Sequence, residues 1–477
     1  MPASTDFYID GQWVAPNRPR DFPVIDPSTE EVCATISLGD QADTDAAVAA
    51  ARAAFDGWAA TPVSERIAAL ERLLVAYDAR AEDMAQAISA EMGAPIDWSR
   101  QQQVTSGTWH FEGFIAAAKE MEWDRPTGAH APGERIVHEP IGVAALITPW
   151  NWPMNQIALK VGAALVAGCT MVLKPSEIAP LSGLVFAEVV DAAGLPPGVF
   201  NLVNGDGEGV GSQLSAHPDV DIVSFTGSTR AGRLISKAAA DTIKRVSLEL
   251  GGKGANIIFA DADDKAVKRG AMRCFNNSGQ SCNAPTRMLV SRDRYEAAIE
   301  IAAQMAEDTP VIPASQDGKG IGPVVSEAQF DKIQALIQTG IDEGARLVAG
   351  GTGRPGHLNR GFFVRPTVFA DVTPDMTIYR EEIFGPVLSI IPFDTEDDAV
   401  RMANDTPYGL TNYIQTSDKD RLRRVARQLR SGMVECNGKG FGKGSPFGGF
   451  KQSGNGREGG IWGIHEFLEV KAVSDWG

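Results

Sequence analysis

Apolar and polar positions change period along the chain, and each change marks an element. Tyr8-Ile9-Asp10-Gly11-Gln12-Trp13-Val14 predicts a hairpin about an Asp-Gly turn. An alanine-rich helix is expected over about 44–56. A second starts near Ser64 and places Ile67, Leu70, Leu74 and Tyr77 on one face. Gly93 and Pro95 close that helical region. From Gly142 strands and helices alternate: a strand over 143–148, a helix over 155–166 stopping at Gly168, a strand at 171–173, a helix over 181–193, and strands at 200–203 and 222–225. Apolar strands alternating with helices predict a parallel sheet covered on both faces. Such sheets bind ligands at the carboxyl ends of their strands, where the polar motifs fall. A second α/β region begins near Gly252, with strand candidates at 257–259, 287–290, 347–348 and 363–369 and a helix over about 395–403. Around 134–139 and 467–473 apolar and polar residues alternate outside both series. These predict half-exposed strands suited to an arm or a subunit contact.

Composition narrows the class. The 477 residues allow two or three domains. The 43% hydrophobic and 22% charged content is that of a globular protein. A net charge of −17 argues against nucleic acid or an anionic membrane as partner. Cys33, Cys169, Cys274, Cys282 and Cys436 are scattered without CxxC spacing, as expected of free thiols in a reducing compartment. The six histidines are isolated and no metal motif is seen. The N-terminus lacks a basic segment followed by an apolar one, and no apolar run is long enough for a bilayer. A cytoplasmic location is the expectation.

Candidate chemistry centres on Cys282, in Gly279-Gln280-Ser281-Cys282-Asn283-Ala284, where small and polar neighbours replace the apolar ones of a core cysteine. Glu249 lies thirty-three residues upstream, a lone carboxylate in Leu248-Glu249-Leu250-Gly251-Gly252-Lys253. A nucleophile and a base are the parts covalent catalysis needs. Three strand ends add polar motifs. Phe225-Thr226-Gly227-Ser228-Thr229 offers backbone N–H groups to a pyrophosphate, or a helix cap. Lys174-Pro175-Ser176-Glu177 offers contacts to ribose hydroxyls, or a solvated ion pair. Thr148-Pro149-Trp150-Asn151-Trp152-Pro153-Met154 holds an amide placed to meet an oxyanion, or an aromatic plug with Asn151 as cap.

Together with Glu381-Glu382-Ile383-Phe384-Gly385-Pro386 and Pro446-Phe447-Gly448-Gly449-Phe450-Lys451, these segments resemble the aldehyde dehydrogenase superfamily in order and spacing over nearly the whole chain. The resemblance implies an α/β fold of two Rossmann-like parallel-sheet domains, one coenzyme-binding and one catalytic, plus a small β oligomerisation arm. The expected divisions are 1–120 and 141–251 for coenzyme, 252–450 for catalysis, and 121–140 with 460–477 for the arm. It implies Cys282 as nucleophile, Glu249 as general base and Asn151 as oxyanion-hole amide. Thr148, Trp150, Lys174, Ser176, Glu177, Gly227, Ser228, Gly251, Glu382 and Phe384 would bind NAD, with NADP possible and less favoured. Glu458 matches a second carboxylate that some members use as a proton relay. Trp152, Gln156, Leu159, Ser281, Asn283, Phe441 and Phe447 would line the aldehyde channel, whose polar residues suit a longer or partly polar aldehyde. The expected protein is a non-acylating enzyme, a homodimer or homotetramer with no metal. The alternatives are a coenzyme A-acylating relative and a catalytically silent structural protein on the same fold.

Overall fold

The computed structural model describes residues 5–476. Its first sheet has eight strands, and five of them form a parallel centre in the spatial order Arg245–Glu249, Ile222–Thr226, Val143–Ile147, Thr170–Lys174, Phe200–Leu202. Ile222–Thr226, Val143–Ile147 and Thr170–Lys174 are buried at every position, which is why they read as continuous apolar runs. The expected hairpin is Phe7–Ile9 and Gln12–Val14, turning through Asp10 and Gly11, both at positive φ, at one edge of this sheet. Strand order reverses between Val143–Ile147 and Ile222–Thr226, which are neighbours although two other strands lie between them in sequence. The crevice outside the carboxyl ends at such a reversal is where open α/β sheets take ligands.

The second sheet has seven strands, in the order Arg346–Ala349, Thr367–Ala370, Val387–Phe393, Arg287–Ser291, Ala255–Ile258, Thr411–Gln415, Met433–Cys436. All neighbours but the first pair are parallel. Val387–Phe393, Thr411–Gln415 and Met433–Cys436 were not among the strands expected from the sequence. Thr411–Gln415 is Thr-Asn-Tyr-Ile-Gln yet wholly buried. Its amides are matched inside: Asn412 Oδ1 accepts from Ala255 N at 2.9 Å, and Gln415 Nε2 donates to Asn256 Oδ1 at 3.0 Å.

Helix Pro153–Ala167 starts with proline at its first turn and is buried at every position but Asn155. It carries the residues that follow the first sheet's leading strand into the site. The helical region does end one helix at Gly93, but Ile96–Trp98, a π-helical turn Ser99–Val104 and helix Thr105–Glu120 continue beyond it.

Leu468–Val473 pairs antiparallel with Arg135–Pro140, which also pairs with Asp124–Pro126. These make a separate three-stranded sheet with Leu468–Val473 at one edge and its residues 469–472 exposed. Residues 460–466 are a helix that packs on helices Thr105–Glu120 and Pro153–Ala167, so among the described residues from 460 on only Leu468–Val473 belongs to that sheet.

Candidate active site

The loop that carries Cys282 is shaped by backbone. Asn277, Ser278 and Gly279 follow one another at φ of 54°, 56° and 72°. A Cβ on Gly279 would stand 2.0 Å from Gly385 O, so the position admits glycine alone. This coil turns the chain out of helix Ala266–Phe275 and aims Cys282 away from the core before strand Arg287–Ser291 begins. Cys282 and Glu382 therefore lie at the amino ends of the second sheet's strands. The sequence expectation of carboxyl ends holds for the first sheet's motifs and not for these two. The site is formed where the carboxyl edge of one sheet meets the amino edge of the other.

A cavity of about 240 Å³ is lined by Trp150, Asn151, Gly227, Ser228, Glu249, Gly251, Cys282, Glu382 and Phe384. Nine residues from five separate segments thus converge at the strand-order reversal. Trp150 and Phe384 meet edge to face at 5.5 Å, with Phe384 held at φ 60° by Gln329 Nε2 donating to its carbonyl at 2.8 Å. Glu382 accepts from Gly252 N at 2.8 Å and lies so close to Gly251 that a Cβ there would be 2.4 Å from its Oε2. Ser228 Oγ accepts from Ala231 N at 3.2 Å, capping helix Thr229–Ala239, so the cap reading of this motif is realised.

Thr148, Lys174, Ser176 and Glu177 are not in the wall of this cavity: Thr148 directly follows Val143–Ile147, and the other three close the neighbouring strand Thr170–Lys174. Thr148 N donates to Lys174 O at 3.1 Å. Lys174 Nζ is buried, bonded to Pro175 O at 2.9 Å, to Gly205 O, and to Glu177 Oε2 at 3.4 Å. Glu177 remains half-buried and reachable. A glycine-lined crevice, two carboxylates at strand ends and an aromatic pair fit a dinucleotide: backbone can approach phosphates, carboxylates accept from ribose hydroxyls, and a flat ring fits beside Phe384.

The electrostatics around the thiol are acidic. Burial pushes the Cys282 thiol up from its ordinary range, and Glu382, Glu249 and Glu458 push it further. Glu249 is buried and both its oxygens lack a hydrogen-bond partner. Burial, then the charge of Glu458, raises its carboxyl well above the usual range, with Lys160 and Arg457 opposing. Behind it Lys160 Nζ donates to Glu458 Oε1 at 2.6 Å, to Thr226 Oγ1 at 2.9 Å and to Ser224 Oγ at 3.2 Å. A buried pair of this kind costs about 3–5 kcal/mol when one partner is removed, so it stands as a fixed unit beside Glu249.

On its other side Cys282 opens into a cavity of about 300 Å³ lined by Trp152, Gln156, Ser281, Asn283 and Phe447. A wider cavity of about 600 Å³ shares Trp152, Asn283 and Phe447 and adds Leu159 and Phe441. The seven residues named from the sequence each line one or both of these two cavities. Trp152 Nε1 donates to Ser281 Oγ at 2.8 Å, fixing the indole beside the thiol loop.

Sequence reading missed several wall residues. Trp98 and Gln102 come from the helical turns that the sequence did not reveal, and Arg273 and Asn276 precede the thiol loop. Trp109 and His110 border the outer part. Burial holds the His110 imidazole down to about 3, so the ring is neutral and its Nε2 can accept from Asn155 Nδ2 at 2.9 Å. Arg273 reaches Glu435 Oε2 at 2.7 Å and lies 5.3 Å over the Tyr413 ring. The one available signal was spacing: Arg273 and Asn276 are three apart at the end of an amphipathic helix. Among the described residues no cluster of histidine, cysteine and carboxylate groups could hold a metal ion, and no helix is long and apolar enough to cross a membrane.

A thiol that opens to a cavity on either side, where two largely parallel sheets meet and carboxylates stand close by, has the parts of a covalent catalytic centre. Comparison with known proteins makes this specific. The model of the aldehyde dehydrogenase family matches residues 13–473, and the chain belongs to that family. It is an enzyme of that kind, an oxidoreductase acting on the aldehyde group. A 3-succinoylsemialdehyde-pyridine dehydrogenase from a Pseudomonas species is 51% identical over 98% of each chain. The crystal structure of an aldehyde dehydrogenase from Bartonella henselae is 60% identical, with a TM-score of 0.99 over all of both chains. A cysteine-to-alanine mutant of aldehyde dehydrogenase C from Pseudomonas syringae, complexed with NAD+ and octanal, is 50% identical, with a TM-score of 0.97 over 100% of this chain and 97% of that one.

Proposed function

We propose that the protein oxidises an aldehyde to its carboxylic acid with NAD+, through a covalent intermediate on Cys282 that water resolves with Glu249 as base. The observation that carries this is the shared cavity: Cys282, Asn151, Glu249 and Glu382 border one space, with the aldehyde path on the far side of the sulfur. The Cys282 sulfur adds to the aldehyde carbon as its proton passes to water, the carbonyl electron pair moving onto oxygen to give the thiohemiacetal alkoxide. The oxygen of that adduct is stabilised by the Asn151 amide and the Cys282 N–H; one such donor is typically worth about 100- to 1,000-fold in rate. NAD+ supplies the hydride acceptor when bound. As the carbonyl re-forms, a thioester remains on Cys282. Glu249 takes a proton from water, the water oxygen attacks the thioester carbon, and the acid leaves with the thiol restored. Steady formation of NADH from an aldehyde panel without coenzyme A is the expected result. Turnover that requires coenzyme A would place the protein among acylating enzymes, and no NADH from any aldehyde would end the reading.

The walls of the path support an aldehyde with a polar tail. Of the six residues that border both cavities, Gln102, Asn155, Arg273 and Asn283 are polar and Trp152 and Phe447 aromatic, while Trp98, Trp109 and Phe441 each add an aromatic face to one of the two. Gln156 Oε1 is buried in this wall without a partner. The charge of Arg273 is already matched by Glu435, so its remaining N–H groups suit a neutral acceptor. The Pseudomonas relative, a 3-succinoylsemialdehyde-pyridine dehydrogenase, agrees with that chemistry.

NAD+ should be used in preference to NADP+. With Glu177 as the ribose contact, a 2′-phosphate would bring a like charge to it, and Lys174, spent on three oxygens, would offset only part of that. A like-charge contact at an accessible site costs on the order of 1 kcal/mol, about fivefold in affinity. Equal kcat/KM with both coenzymes would overturn this.

The protein should assemble at least as a dimer. Leu468–Val473 is an edge strand, with Val470 64% exposed and Trp476 49% exposed near it. An exposed edge of this kind calls for a partner. In light scattering the full chain should exceed monomer mass, and deletion of residues 468–477 should shift it to smaller species before the site is affected. A monodisperse full-length monomer at micromolar concentration would refute this. Assembly in a cytoplasmic setting is the expected context.

A further inference from the structure

Asn151 is held by more than its own turn. Its carbonyl oxygen accepts from Gln103 Nε2 at 3.1 Å and from Asn277 Nδ2 at 3.0 Å. Asn277 Nδ2 also donates to Gln280 O at 3.2 Å, and that same oxygen takes Asn151 Nδ2 at 3.0 Å. Gln103 Nε2 reaches Asn277 Oδ1 at 3.1 Å. Gln280 closes the ring, its N and Nε2 donating to Asn277 O at 3.1 and 3.3 Å. None of the four residues is more than 5% exposed.

Counting hydrogens shows what this network does. The Asn151 amide nitrogen carries two, and one is spent on Gln280 O. The other is left for the cavity that Asn151 shares with Cys282. Its direction follows from where the Asn151 backbone sits, and both lone pairs of the Asn151 carbonyl are fixed by Gln103 and Asn277. The Gln103 amide has one orientation: its two near acceptors, at 3.1 Å each, are oxygens, with Met92 Sδ farther off at 3.8 Å, so the flipped amide would set oxygen against oxygen. Gln103 Oε1 is buried without a partner, a cost an aliphatic side chain of the same size would avoid. Gln103 stands on the π-helical turn Ser99–Val104, and such turns recur at functional sites. The turn also sets Gln102 into the substrate path while Gln103 points inward to the ring of amides.

We infer that Gln103 is a positioning residue of the reaction: through the Asn151 carbonyl and Asn277 it locks the thiol loop to the Asn151 turn, so that the free Asn151 N–H meets the oxygen of an aldehyde bound at Cys282. This rests on Asn151 being the oxyanion donor. Gln103 touches neither substrate nor coenzyme cavity.

The test is a double-mutant cycle read by the rate constant of the NADH burst at saturating NAD+. Gln103→Met, which keeps volume and removes both N–H groups, should slow the burst about 10- to 100-fold, a fraction of the effect of losing the donor itself. The KM for NAD+ should stay within about twofold, since no coenzyme contact changes. In an Asn151→Ala background the same substitution should change the burst by less than about twofold. Equal fold-losses in the two backgrounds would show that Gln103 acts by another route and would overturn the inference, as would a wild-type burst in Gln103→Met. A wild-type burst in Asn151→Ala alone would instead overturn the oxyanion reading. Should Gln103→Met not fold, Gln103→Glu keeps the shape. Its carboxylate faces the Asn151 carbonyl, and protonation restores one donor. Relative to wild type its burst should recover as pH falls, and a flat ratio across pH would count against the inference.

Discussion

Cys282→Ala is expected to bring NADH formation down to no more than a few per cent of wild type while NAD+ binding stays within about twofold, because the proposed bond to substrate forms at that sulfur and the cavity is lined by no second thiol. The residues proposed to hold the coenzyme, Trp150, Gly227, Glu382 and Phe384, line the same cavity but belong to other segments than the thiol loop. Titration of protein fluorescence with NAD+ and a turnover assay on the same sample separate the two effects. Activity above that level would remove Cys282 from the chemistry. The other cysteines are poorly placed as substitutes. Cys169 and Cys274 are buried, and burial raises both thiols. Cys33 and Cys436 line neither cavity around Cys282.

Glu249→Gln is expected to leave a burst of NADH and then to stall, with the steady rate down by about 100-fold or more, the usual range for loss of a general base. Hydride transfer needs only the thiohemiacetal, whereas thioester hydrolysis needs a base on water. The raised carboxyl of Glu249 gives the sign of the pH dependence. Below that raised value the group is protonated and cannot accept from water, so the wild-type steady rate should climb as pH rises through it. The glutamine variant should lose that climb. Stopped-flow traces at several pH values check both points. If the burst vanishes together with turnover, Glu249 acts earlier, by accepting the thiol proton that burial and three carboxylates hold on Cys282.

Much of the fold was legible where burial and local pattern agree. Val143–Ile147 and Thr170–Lys174 are buried on both faces and read as apolar runs, and helix Leu181–Ala193 was legible to its last residue. Three strands of the second sheet were not. Thr411–Gln415 is buried through side-chain hydrogen bonds that only the folded neighbour supplies, so its polar letters did not mark it as a strand. The stretch 99–110 was hidden for a related reason. It faces the substrate path on one side and the amide ring on the other, so no apolar stripe marks it as helix. The same stretch holds Gln102, Gln103 and Trp109. Motif order carried the positions of Cys282, Glu249, Asn151 and Glu382, which the structure brings to one cavity. It could not reveal that Cys282 and Glu382 enter from the amino ends of their strands, because that depends on how two sheets meet.

The coil of Asn277, Ser278 and Gly279 divides the thiol loop into two kinds of position. At Gly279 the backbone conformation and the nearness of Gly385 O leave no alternative residue. At Ser281 and Asn283, immediately on either side of the thiol, side chains border the aldehyde path. A gene under selection can therefore explore new substrates at 281 and 283 while the frame that aims the sulfur stays unchanged. For a laboratory library the same division tells where to randomise and where a single changed codon would waste the clone.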